Sequence, residues 1–194
     1  MISDLGLLAS RLALGLSLAS HGAQKAYGWF EGPGPEGAAG FMHSLGLRPG
    51  ETYAAAASYN EIVSGLLIAL GLGGPLGPAG VVSNMIVAAE TVHRPNGFYA
   101  AKGGIEVPFL YAAAAMALAS AGYGDFSVDH LFGLDESLDS NFFKALAFAG
   151  GVTAAYLILG RRDTSPPEGT LATPTIKGEH DGQPAGSPSS PATT

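Results

Sequence analysis

Cysteine is absent from the 194 residues. That excludes thiolate-held iron–sulfur clusters, c-type haem attachment, thiol–disulfide exchange and cysteine-ligated zinc. Charge is scarce as well. Only 13% of the residues are Asp, Glu, Lys or Arg, well under the ~25% of a soluble globular domain. Basic residues are the scarcest, nine against sixteen acids for a net charge of -7. No basic patch exists for nucleic acid. The chain also shows no phosphate-binding glycine loop, no nucleophile–base triad and no metal-ligand cluster.

What the chain has is hydrocarbon. Five apolar segments, 5–21, 53–72, 76–92, 105–121 and 142–160, hold about 17–20 residues each. At ~1.5 Å per residue each comes close to the ~30 Å core of a bilayer. Runs of small residues, Ala54 to Ala57 and Ala112 to Ala115, with Gly65, Gly71, Gly150 and Gly151, let helices approach where lipid supplies no hydrophobic drive. Five such segments leave too little polar surface to clothe a soluble fold. The expectation is an all-α integral membrane bundle. The first segment reads as a span rather than a cleaved leader, because Asp4 stands where a basic region belongs and Arg11 interrupts the apolar run.

Lys25, Arg48, Arg94, Lys102, Arg161, Arg162 and Lys177 fall on one side of a five-span chain. Asp4, Asp125, Asp129, Asp135, Glu136 and Asp139 fall on the other. Cytoplasmic loops carry the excess of Lys and Arg, so the N-terminus is expected outside and the C-terminus in the cytoplasm. Between the first two spans, 36–47 is expected to form a short interfacial helix, with Trp29, Phe30 and Phe41 nearby. Residues 122–141 form an acidic external loop. The stretch 163–194, rich in Pro, Ser, Thr and Gly, buries too little to offset ordering entropy and is expected to be a disordered cytoplasmic tail.

A few ionisable residues interrupt the apolar segments. A charge at the bilayer centre costs at least ~2.5–3.5 kcal/mol and normally faces a bundle interior. His21 and Lys25 lie one turn apart, Glu61 lies ~12 Å into the second span, Glu90 ends the third and Glu106 opens the fourth. These five groups gather in the cytoplasmic half, with Asn60 adding a neutral amide, and Arg11 lies deep on the other side. The expected ligand-binding set is His21, Lys25, Asn60 and Glu61. Glu61 and Glu106 are the candidate proton-transfer residues, and Arg11 and Glu90 the structural or charge-balancing ones. A quinone head group needs donors such as His21 or Lys25, and its reduction needs a proton source such as Glu61. Structural roles compete. Lys25 can snorkel, Glu106 can meet its own helix dipole, Glu90 can reach the headgroups and His21 can be interfacial. His21 and His93 share a side, but two histidines are a weak case for haem.

At these same residues the chain resembles the DoxX-like membrane proteins. The resemblance rests on Arg11, Leu14-Gly15, His21-Gly22-Ala23-Gln24-Lys25, Leu45-Gly46, Glu61 with Gly65, Gly103-Gly104-Ile105-Glu106-Val107-Pro108, and the ending from Gly122 to Asp129. It spans roughly 5–130 and implies a four-helix membrane core over 1–130. Residues 131–162 then add a loop and a fifth transmembrane helix, ahead of the 163–194 tail. The resemblance further implies a subunit of a redox-associated complex in a prokaryotic plasma membrane, with other oxidoreductase subunits as partners. It suggests a quinone-linked role without a redox centre of its own. The alternatives are a non-catalytic accessory subunit of a larger respiratory or photosynthetic complex, and a small proton-coupled carrier using Glu61.

Overall fold

The computed structural model describes residues 2–165, so all but the first three residues of the tail expected over 163–194 lie outside the described residues. Helices and their connections make up the described residues, and no strand occurs among them. The principal helices are α1 (Ile2–Tyr27), α2 (Gly34–Ser44), α3 (Gly50–Leu70), α4 (Leu76–Ala88), α5 (Glu106–Ala121) and, after two single-turn helices α6 (Val128–Leu131) and α7 (Asp135–Leu138), α8 (Asn141–Leu159). The first apolar segment is therefore longer than its hydropathy suggests and continues through Lys25 to Tyr27. The short helix expected over 36–47 is α2, shifted slightly toward the N-terminus.

Local chemistry sets the helix ends. Pro49 precedes α3, and Pro108 lies in the first turn of α5, where its missing N–H is harmless. Gly71 ends α3 at φ 66°, a left-handed conformation that suits glycine. The N–H of Leu72 reaches back to the Leu67 carbonyl at 2.8 Å. A Cβ at Gly71 would also strike the Arg11 guanidinium. Ser140 caps α8 by accepting from the Phe143 N–H at 3.3 Å. Beyond Ala88, α4 runs into a wider turn over Ala89–His93.

Helices α1 and α3 pack antiparallel along seams that step by three and four residues. On α1 the seam is Arg11, Gly15, Leu18, Gly22 and Lys25. On α3 it is Ala54, Ser58, Glu61, Gly65 and Ile68, all buried. A Cβ at Gly15 would meet the Gly65 carbonyl, and one at Gly65 the Gly15 carbonyl, so these glycines set the closest approach. A second seam on α3 faces α4, where Asn60 donates to the Gly80 carbonyl at 2.9 Å and Asn84 donates to the Ala57 carbonyl at 3.2 Å. Leu18, Ile68, Val81, Ala115 and Leu118 form the central core, drawn from α1, α3, α4 and α5. The last helix stands outside it: α8 buries only Ala155, and Gly151 rests on the Ala79 backbone.

Leu12, Leu16, Leu66, Phe109, Leu110, Met116, Leu146 and Leu157 are exposed, so the outer faces of the helices are largely apolar. By length and hydropathy, two helices could each cross a membrane, α3 and α8, and α5 is apolar but shorter. Arg11 and Lys25 interrupt α1, and α4 has 13 residues before its wider turn. Five individually sufficient spans are thus not what the helices present, although the chain reverses direction between α1, α3, α4, α5 and α8.

Candidate functional site

The two ends of the bundle differ in charge because alternate loops differ in charge. Asp4, the 71–75 turn and the acidic 122–140 loop meet at one end. There Arg11 is buried and donates to the carbonyls of Tyr123 at 2.5 Å, Phe126 at 3.0 Å and Ala69 at 3.4 Å. Its guanidinium also lies 5.6 Å from the Tyr123 ring centroid. Asp129, equally buried, accepts from the Gly73 and Gly74 N–H groups at 2.9 and 2.7 Å. The partners of Arg11 are carbonyls, not a carboxylate, and its geometry is that of a clamp closing the 122–129 loop over the α3–α4 turn. Burial pushes the Tyr123 phenol well above its ordinary range.

Lys25, Arg48, Arg94, Lys102, Arg161 and Arg162 lie at the opposite end. Here the expected constellation of five ionisable groups resolves into one interhelical pair and three separate residues. Lys25 Nζ meets Glu61 Oε1 at 2.5 Å. Glu61 is 7% exposed, and its Oε2 has no protein partner. His21 is exposed instead, shares a hydrogen bond of 3.2 Å with Gln24 and sets its ring 6.5 Å from Tyr111. The reason is angular. His21 continues the seam Leu14, Ser17 toward α5, where Ser17 bonds the Tyr111 hydroxyl at 2.9 Å, whereas Lys25 continues the seam toward α3.

The other candidates also find local partners. Glu106 accepts from the Ala100 N–H at 2.7 Å and braces the turn that leads into α5. Glu90 pairs with Arg94 at 2.5 Å, one turn along. Asn60 is spent on Gly80 of α4. His93 bonds the Gly103 carbonyl at 2.7 Å, so it does not face His21 as a second haem ligand would. Glu106 therefore does not join Glu61, and Glu90 does not join Lys25. Each is taken by backbone or a neighbour that its own helix end supplies.

A cleft of about 540 Å³ opens beside the Lys25–Glu61 pair, between the end of α1, α2 and the first half of α3. Its walls are largely small residues, Ala26, Ala39, Gly40, Gly50, Ala54 and Ala55. Its polar groups are Lys25, Glu36, His43, Glu51, Ser58 and Tyr59. This is the size and lining of a small-molecule site, apolar with a few convergent polar groups. Glu36, His43, Glu51 and Tyr59 did not stand out in the sequence because three of them look like ordinary helix-end or surface polar residues. One signal was available: Gly50, Ala54 and Ser58 repeat at four-residue steps, and small side chains on one face leave either a close contact or a hollow. Chemically the cleft can hold an apolar ring, donate hydrogen bonds from Lys25 and His43, and pass a proton between the Lys25–Glu61 pair and water. Among the described residues no metal-binding cluster occurs.

The family model described as DoxX matches residues 6–94. That stretch runs from the first turn of α1 to the wider turn after α4 and contains Arg11, Lys25, the α2 wall of the cleft and Glu61. It stops short of Glu106 and of the loop that Arg11 clamps, a narrower extent than 5–130. No curated protein and no solved structure matches the chain.

Proposed function

Starting from a chain that belongs to the DoxX family through residues 6–94, and is therefore a membrane-associated protein, we propose that it is a five-span subunit of a redox-associated complex in a prokaryotic plasma membrane. In this reading it holds a quinone or similar lipid-soluble molecule in the α1–α2–α3 cleft. The observation that carries the reading is the Lys25–Glu61 pair, its carboxylate buried and its ammonium half-buried, beside a cleft of about 540 Å³. A buried charge pair tends to mark a site when it borders a cavity. The sorting of basic and acidic loops to opposite ends supports an external N-terminus and a cytoplasmic C-terminus.

The residues fit such a molecule. The Ala26, Ala39, Ala54 and Ala55 walls exclude water from a ring, and Lys25 and His43 can donate to its oxygens. Glu61, whose second oxygen lacks a protein partner, would hold or release a proton through Lys25. Bound quinone would supply the electron chemistry, because no side chain here is a redox centre. The full chain, extracted in mild detergent and analysed for bound quinone, tests this. Quinone should copurify with wild type and fall in Lys25→Met and His43→Ala. A wild-type preparation reconstituted with quinone that takes up none would sink the reading.

A second reading also has an observation behind it. Lys25–Glu61, Asn60–Gly80 and Asn84–Ala57 each bridge two neighbouring helices, as struts would. On that view the protein is a non-catalytic accessory subunit. Recovery only within a larger assembly, with an empty cleft, would favour it.

A further inference from the structure

A second cavity, of about 250 Å³, lies away from Lys25 between α3, α4 and α8. Leu47, Ala57, Val87, Ala154 and Ile158 line it, and none of its lining residues is ionised. Its amides are already used, Asn60 on Gly80 and Asn84 on Ala57. With the Tyr53 and Ser83 hydroxyls as its remaining polar groups, an occupant meets mostly hydrocarbon. Ala154 is exposed, so the cavity opens sideways past α8, toward the surround of the bundle.

The rim is basic. Arg48 follows Leu47 directly, and Arg161 and Arg162 stand one turn beyond Ile158. Arg162 Nε donates to the Leu45 carbonyl at 2.5 Å, and Arg48 pairs with Asp163 at 2.9 Å. These contacts tie the end of α8 to the α2–α3 connection. The rim thus carries three arginines and the Asp163 carboxylate that pairs with Arg48, and Arg48 and Arg161 are exposed. Basic pockets between helices at the cytoplasmic side favour acidic lipid headgroups.

We propose that this cavity takes an acyl chain of an anionic glycerophospholipid, whose phosphate lies against Arg48 and Arg161. Hydrocarbon fills the space between α3, α4 and α8, and the excess positive charge of the rim selects the headgroup. A zwitterionic head carries its own cation toward the arginines and loses that selection. The inference needs only a membrane setting and is independent of any ligand in the Lys25 cleft.

The test is native mass spectrometry of the full chain titrated with phosphatidylglycerol or phosphatidylcholine of equal chain length. Wild type should retain the anionic lipid about thirtyfold better, as two interfacial arginines imply. The double variant Arg48→Gln/Arg161→Gln should lose that preference. Ala154→Phe, which fills the cavity from an exposed position, should weaken retention of both lipids. Circular dichroism on each variant keeps folding separate, and Ala154→Leu replaces the Phe variant if its helix content falls. Equal retention of the two lipids by wild type would overturn the proposal. So would a preference that survives the double variant. An unaltered affinity in the folded cavity-filling variant would leave only a surface charge effect and would also overturn it.

Discussion

Glu61 reaches the bundle interior because position 61 lies on the same α3 seam as Ser58 and Gly65, and nothing but Lys25 neutralises it there. The two partners are unequal. Lys25 keeps 28% of its side chain exposed and can swing toward the cleft, whereas Glu61 keeps 9%. Removing one partner of a fully buried pair costs about 3–5 kcal/mol. Lys25→Met, which strands the carboxylate, should therefore destabilise by about 2–3 kcal/mol, discounted for the lysine's exposure. Glu61→Leu, which frees an ammonium able to snorkel, should cost about 1 kcal/mol or less. The double substitution should return most of the loss, and reversible unfolding of the four proteins in detergent checks all three values. Equal costs for the two single variants would mean that burial does not distinguish the partners.

His130 and Asp135 give a second test at this scale, outside the spans. Their side chains lie 2.7 Å apart. The hydrogen bond to Asp135 raises the His130 pKa above its ordinary 6.5, and the same bond holds Asp135 below its ordinary 3.8. The histidine's contribution to the fold of the 122–140 loop is full below about 6.5 and is lost as pH rises through its raised value. The aspartate's contribution is present above about 3.8 and is lost as pH falls through its lowered value. The pair thus tethers α6 to α7 across mildly acidic pH and releases toward alkaline pH. NMR titration of His130 should show a midpoint above 6.5 that drops in Asp135→Asn. An unmoved midpoint would deny the bond.

Helix contacts are governed by small residues, and their effects differ sharply along one element. Gly6 has open space around its Cβ position, whereas at Gly15 a Cβ would meet the Ala69 N at 2.6 Å. Gly6→Ala should be neutral or stabilising by up to about 1 kcal/mol, the gain in helix propensity. Gly15→Ala and Gly65→Ala should instead cost about 1–3 kcal/mol by forcing α1 from α3. Thermal unfolding of the three variants separates them, since propensity alone would stabilise all three alike. The sequence marked small residues such as Gly65 as points of close helix approach, but the α1 seam of Arg11, Gly15, Leu18, Gly22 and Lys25 emerges only from its packing on α3. The lesson of His21 is that an i,i+4 relation to Lys25 does not guarantee a shared partner. A helix face about 100° wide can be divided between two neighbours.

For the molecule as a whole, the opposed charges of the two ends make orientation testable, and the absence of cysteine supplies a clean background. Lys102 lies between α4 and α5, and Ser137 between α5 and α8. With a membrane-impermeant maleimide on intact cells, Ser137→Cys should label at once and Lys102→Cys only after lysis. The reverse pattern would invert the proposed orientation. Labelling of both from the outside would mean that α5 does not cross. Position Asp163, the first residue of the expected tail, is held by Arg48 and by the Gly46 carbonyl at 2.8 Å. That anchorage ties the end of α8 to the α2–α3 connection, while Gly151 of the same helix rests on α4.

Helical class, apolar faces and the segregation of charge were determined by the sequence alone, because hydropathy, proline placement and loop composition act locally and need no knowledge of neighbours. The choice of partners was decided only by the tertiary structure. Glu106, Glu90 and Asn60 each had several groups within reach of their helix, and packing gave them a backbone N–H, Arg94 and the Gly80 carbonyl. The cleft left one trace in the sequence, the four-residue spacing of Gly50, Ala54 and Ser58, which does not separate a hollow from a close contact. It is the space left where α2 stands off from small residues on α1 and α3, and a void between helices belongs to no residue in the chain.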